Sequence, residues 1–144
     1  MVPRYQYNSK KRLQVAQNKI IRFLLNLDNR SHVGHNEFNK TGLLDVTNRV
    51  SQLKLGHAFK INHNTCPNYL GFHFRKLNEY EGRIDTRGKA YNFHVPKISP
   101  NTFAFSTIKD WNSLPNDIKS SSYFKSFKEK VVKHLAKVTK LAHR

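Results

Sequence analysis

A small, mostly α-helical domain with an irregular central loop is the fold this sequence predicts, on three observations. Apolar residues recur with helical spacing in segments at residues 9–29, 43–62 and 124–142. That rhythm fades from Gly71 to Pro100, a polar stretch with glycines at 82 and 88 and prolines at 96 and 100. Finally, 144 residues with 38% hydrophobic and 12% aromatic content suffice for one modest core. The net charge of +17 works against collapse. The expectation is therefore one helical domain over residues 10–138, looped at about 71–100, with flexible ends at 1–9 and 139–144.

In the first segment Leu13, Ala16, Ile20, Leu24 and Leu27 mark one helix face, with Ser9 as expected N-cap and Asp28-Asn29 as expected stop. Arg12, Lys19 and Arg22 fall on the opposite face. A short helix is expected near Asn36–Lys40, broken by Gly42. Val46, Val50, Leu53, His57 and Ile61 then keep helical register, and Gly56 within them marks a place where backbone can pack closely. Pro67 suits the start of a short turn through Tyr69 and Leu70. "YNFHV" alternates aromatic and polar residues and allows one short strand or hairpin. "TFAFSTIKDWNSLP" predicts a helix that stops at Leu114, because a residue before proline avoids the helical region. Pro115 can begin another single turn, and Ser120, Ser121 and Ser122 are expected to cap the last helix. In that helix Phe124, Phe127, Val131, Leu135, Val138 and Ala142 form one stripe. Lys130, Lys133, Lys137 and Lys140 form a second, opposite the first at ~100° per residue.

The charge is unevenly placed. Residues 1–27 hold six basic residues and no acid, 28–118 hold twelve against eight, and 119–144 hold eight against one. A polyanion is the natural partner for such a field, nucleic acid first and an anionic membrane surface second. Arg12, Lys19, Arg22, Lys130, Lys133, Lys137 and Lys140 are the residues expected to meet it. The single cysteine, Cys66, excludes an internal disulfide framework and favours an intracellular setting, nucleus or cytoplasm. No apolar run approaches the ~20 residues of a membrane span, and "MVPRYQYNSKKR" lacks a signal-peptide core. Lys10–Arg12 resembles a nuclear localisation patch over three residues only.

Candidates for chemistry are sparse. His32, His35, His57, His63, Cys66 and His73 have no spacing of a zinc site, so no metal or other cofactor is expected. Glu79, Glu81 and Asp85 are the acidic cluster, in the least periodic region, where solvating a loop and pairing with Arg83 or Arg87 explain Glu79 and Glu81 better than two-metal chemistry does. There is no glycine-rich phosphate loop. Aromatics interleave with cations in "GFHFRKLNEY" and "GKAYNFHVPK": Phe72, Phe74, Tyr91 and Phe93 lie near Arg75, Lys76, Lys89 and Lys97. Such aromatics either build the core or stack on bases. Trp111, Leu114, Pro115 and Phe127 are expected to be structural.

The order of these motifs resembles the C-terminal, post-thumb segment of jockey-like, LINE-type non-LTR retrotransposon reverse transcriptases. The resemblance runs over about residues 13–138. It rests on "AQNKIIRFLLNL" (Ala16 to Leu27), "LLDVTNRVSQLKLGHAFKI", the Pro67-Tyr69-Leu70 turn, Val95-Pro96, "WNSLP" within Phe103 to Ser121, and "SFKEKVVKHL" (Ser126 to Leu135). Fingers, palm, thumb, their Asp-Asp metal motif and the endonuclease have no counterpart in the 144 residues. The resemblance thus implies a non-catalytic segment, not an enzyme by itself, that binds nucleic-acid backbone, RNA ahead of DNA. The alternatives it leaves are a module docking onto a reverse transcriptase core, or a truncated remnant, gene fragment or domesticated copy.

Overall fold

The structure is a computed structural model that describes residues 4–77 and 91–142, with the side chains of 9–77 and 91–138. The fold is mostly α, as the periodicity predicts. Six α-helices lie among the described residues: α1 (Arg4–Leu24), α2 (His35–Thr41), α3 (Val46–Asn62), α4 (Phe103–Ser113), α5 (Asn116–Lys119) and α6 (Phe124–Ala142). A 3-10 turn spans Asn68–Gly71. Among the described residues the expected strand is an antiparallel bridge between Lys76 and Phe93. The chain groups into two compact units, one formed by residues up to Val50 with those from Val132, the other by Ser51–Val131.

Helix ends follow local chemistry. α1 and α3 stop in the same way. Asn26 and Asn64 sit in the left-handed region, at φ 51° and 54°. The next amide then reaches back five residues, Leu27 N–H to Arg22 O at 2.9 Å and Thr65 N–H to Lys60 O at 2.9 Å. α1 thus ends before Asp28-Asn29 and begins at Arg4, which puts Ser9 inside it instead of at its cap. Glu37 closes the start of α2 by accepting the Gly34 N–H at 2.8 Å. That hydrogen bond is the main reason its carboxyl titrates below the usual range. Gly42, at φ 66°, ends α2 where the break was expected. Asp45 caps α3 by accepting the Asn48 N–H at 2.8 Å.

α4 runs to Ser113, and Leu114 turns extended (ψ 146°) before Pro115 (φ −57°) leads into α5, as the Leu-Pro break requires. The serines do not cap α6. The Phe127 N–H bonds Tyr123 O at 3.0 Å, which gives Tyr123 the N-cap position. Ser120 donates to Asp117 O, and Ser121 is buried with its hydroxyl unpartnered.

Two packing faces differ from expectation. In α1 the buried side is Ile21, flanked by half-buried Gln14, Gln17 and Asn18, whereas Leu13, Ile20 and Leu24 are each more than half exposed. In α3 the core takes Gln52, Leu55, Ala58, Phe59 and Ile61, and Leu53 faces out at 59% exposure. The second unit is held by a chain of rings. Phe74 meets Phe93 (5.4 Å between centroids), Phe93 meets Trp111 (5.5 Å), Trp111 meets Phe127 (5.7 Å) and Phe127 meets Phe59 (4.5 Å). At Gly56 the neighbour is the Phe124 ring, not backbone, and a Cβ there would lie 3.4 Å from it, an ordinary contact.

Candidate nucleic-acid interface

Two of the quoted sequence motifs turn out to be clasps. In "AQNKIIR", Gln17 donates its amide to Leu44 O at 2.8 Å. Gln14, one turn earlier, donates to Asn18 Oδ1 at 2.9 Å and accepts the Val46 N–H at 3.0 Å, the free donor at the start of α3. Arg22 donates its Nε to Ser31 O at 2.8 Å and so pins the loop after α1.

In "WNSLPNDIK", two side chains grip the backbone around Phe93 and a third, Lys119, holds the Asn92 side chain. The Trp111 indole N–H donates to Tyr91 O at 2.8 Å. The Asn112 amide accepts the Phe93 N–H at 2.9 Å and donates to Phe93 O at 2.8 Å. Lys119 donates to Asn92 Oδ1 at 2.7 Å and to Asn112 O at 3.0 Å. Its two partners are neutral oxygens, and burial pushes the ammonium below the usual lysine range. Trp111 has no exposed surface, Leu114 and Phe127 are buried, and Pro115 is exposed.

With those residues used for folding, the cations left for a ligand can be placed. Arg12 and Lys19 are exposed on α1, while Arg22 is half-buried. Lys130, Lys133 and Lys137 are exposed on α6, whose Phe127 and Val131 are buried. Lys130 gives one of its three donors to Asp117 O at 3.0 Å. The side chain of Lys140 lies outside the described residues, as do Glu79, Glu81, Asp85, Arg83, Arg87 and Lys89. Exposed Lys125 and Lys128 extend the α6 cations beyond the expected stripe. Nine carboxylates can match at most nine of the 26 basic side chains, so a net +17 stays unneutralised. Lys54, which pairs with Asp110 at 3.9 Å, is one of the matched ones.

The interleaved aromatics divide. Phe74 and Phe93 are core, at 7% and 1% exposure. Phe72 (68%), Tyr91 (43%) and the unexpected Tyr69 (77%) face out. Tyr69 reads in sequence only as part of the short turn that Pro67 begins.

Clefts open within each unit. One of about 700 Å³ in the first unit is lined by Gln14, Asn18, His32, Phe38 and Asp45 among others. Gln14, Asn18 and Asp45 already serve the hydrogen bonds around the start of α3. Another, about 370 Å³ in the second unit, lies beside Phe72, Arg75 and Lys76. Among the described residues no three His, Cys, Asp or Glu side chains come close enough to share a metal ion. His63 instead stacks on Phe59 at 4.0 Å, and His57 meets Phe103 edge-on at 5.4 Å. No described helix is long and apolar enough to cross a membrane. The chain matches no protein-family model, no curated protein and no solved structure.

Proposed function

We propose that this chain is a non-catalytic nucleic-acid-binding segment of the reverse-transcriptase type it resembles. On this reading it works in the nucleus or cytoplasm and holds the phosphate backbone, of RNA ahead of DNA, through its exposed cations. The observation that carries this reading is the row of exposed lysines on α6, Lys130, Lys133 and Lys137, within a chain that has seventeen more cations than carboxylates. Phosphate contacts release condensed counterions, so affinity from such a row falls with salt and ignores base sequence. The test replaces Lys130, Lys133, Lys137 and Lys140 with Gln, which retains helix propensity. Binding to single-stranded RNA weakens across sequences, and the slope of log affinity against log salt becomes shallower by roughly 0.7 per lost contact. Unchanged affinity and slope would reduce the row to a solvated helix face and move the interface to Arg12 and Lys19.

A second reading is favoured by one observation. Leu13, Val15, Ile20, Phe23 and Leu24 leave an apolar surface exposed on α1, with Phe23 at 85%. Surfaces of that kind mark protein contacts. On this reading the chain docks onto a reverse transcriptase core through α1. Its signature is concentration-dependent self-association of the isolated chain that Phe23→Ser relieves.

A further inference from the structure

The exposed rings at Tyr69 and Phe72 sit on backbone that is fixed on both sides. Pro67 (φ −56°) sets the entry to the 3-10 turn, and the Leu70 N–H closes onto Pro67 O at 3.1 Å. The exit is closed by the Phe74 N–H on Gly71 O at 2.8 Å. Gly71 lies against Ile61, where even a Cβ would be 3.5 Å from a methyl carbon. Phe74 then enters the core, and the following residues are tied down by the bridge to Phe93, with the His94 N–H on Arg75 O at 2.8 Å and the Leu77 N–H on Asn92 O at 3.1 Å. Arg75 and Lys76 are thereby held on the same short stretch as the rings. Phe72, Arg75 and Lys76 also line the 370 Å³ cleft, together with the amides of Asn64 and Asn68. Clefts that take small ligands run from ~300 to ~1,000 Å³.

Large rings left in water on a pinned turn need a physical account. A protein–protein contact would want a broad apolar patch. Here the neighbours are a guanidinium, an ammonium and side-chain amides, which suit a ligand with flat apolar faces, polar edges and negative charge. Unpaired nucleotides have that chemistry. Their bases stack on aromatic rings while Arg and Lys take the phosphates. We infer that Tyr69 and Phe72, with Arg75 and Lys76, form a stacking platform for single-stranded nucleic acid. The inference rests on the nucleic-acid-binding reading above and deepens it. It adds a preference for unpaired strands, which the α6 lysines alone do not supply.

The experiment measures binding of the full chain to an oligouridine and an oligoadenine of roughly 12 nucleotides, to a single-stranded DNA of the same length, and to duplex RNA. The Tyr69→Ala/Phe72→Ala double variant is compared with wild type, and circular dichroism confirms that it folds. Its affinity for all three single strands falls about tenfold or more. Duplex affinity stays within about twofold, and the salt slope is unchanged because rings release no counterions. The conservative pair Tyr69→Phe/Phe72→Tyr restores single-strand binding. Equal single-strand affinity in wild type and the Ala variant, or equal losses on single strands and duplex, overturns the platform while leaving backbone binding intact. Absence of salt-dependent binding by wild type to every probe overturns backbone binding and the platform with it.

Discussion

Trp111 is the residue whose removal should cost most. Its side chain has no exposed surface, touches Phe93 and Phe127, and satisfies the Tyr91 carbonyl at 2.8 Å. Truncation to Ala removes roughly 200 Å² of buried aromatic surface. At about 25 cal/mol per Å² that is ~5 kcal/mol before relaxation. Partial collapse of the ring cluster lowers the loss, and the orphaned carbonyl raises it by about 1 kcal/mol. The expected cost for Trp111→Ala is ~3–5 kcal/mol, a large part of the ~5–15 kcal/mol that holds an ordinary domain folded. Trp111→Phe separates the two contributions. It keeps most of the apolar contact and loses the N–H donor, so its cost should be smaller, about 1–3 kcal/mol. Urea denaturation followed by circular dichroism reads both variants, since the chain's only tryptophan emission disappears with the mutation. A midpoint for Trp111→Ala equal to wild type, or for Trp111→Phe below that of Ala, would refute the clasp.

Three further outcomes are expected. Gly56→Ala should stabilise by about 0.5–1 kcal/mol in thermal melts, through helix propensity, because the new methyl would meet the Phe124 ring at an ordinary contact distance of 3.4 Å. For Lys119 the folded pKa is depressed by burial, so the unfolded chain binds the extra proton between the depressed value and 10.5. Stability therefore rises with pH through that window, and the urea midpoint of wild type should gain on that of Lys119→Met as pH approaches 10.5; a constant difference between the two would contradict the assignment. Purified chain given a primed template with Mg²⁺ or Mn²⁺ should incorporate no nucleotide, as a gel-based extension assay would show.

The helical class and the middle of the α6 stripe were legible because burial there follows a 3.6-residue period, with Phe127 and Val131 inside; toward the ends of the stripe Phe124 and Val138 are exposed instead and Leu135 is half-buried. Gly42 and the Leu114-Pro115 break were legible because each is a local backbone restriction. The α1 face was not. Its apolar period points to Leu13, Ile20 and Leu24, yet half-buried Gln14, Gln17 and Asn18 flank buried Ile21: Gln17 donates to Leu44 O, Gln14 accepts the Val46 N–H, and Asn18 accepts from Gln14. A polar side chain earns its buried place by such bonds, and hydropathy cannot register a partner 27 or 32 residues away. The same holds for Asn112 and Lys119, whose partners at Phe93 and Asn92 lie 19 and 27 positions distant. The α3 register failed for a related reason. Leu53 continues the apolar period, but Ala58 and Gln52 occupy the core because Phe59 and Leu55 set the face. Among the candidate ligand contacts, cation-rich segments were visible from charge alone. Exposure separated Phe72 from Phe74, and no one-dimensional pattern distinguishes two such rings in "GFHFRK".

Backbone binding is tested most directly by the affinity of the unmodified chain for a single-stranded RNA as salt rises from about 50 to about 300 mM. On the proposed reading, exposed Lys130, Lys133 and Lys137 on α6, with Arg12 and Lys19 on α1, would supply three to five phosphate contacts. The expected slope of log affinity against log salt is then about −2 to −3.5, the same for oligonucleotides of unrelated sequence. A slope near zero, or no binding at the lowest salt, would contradict it.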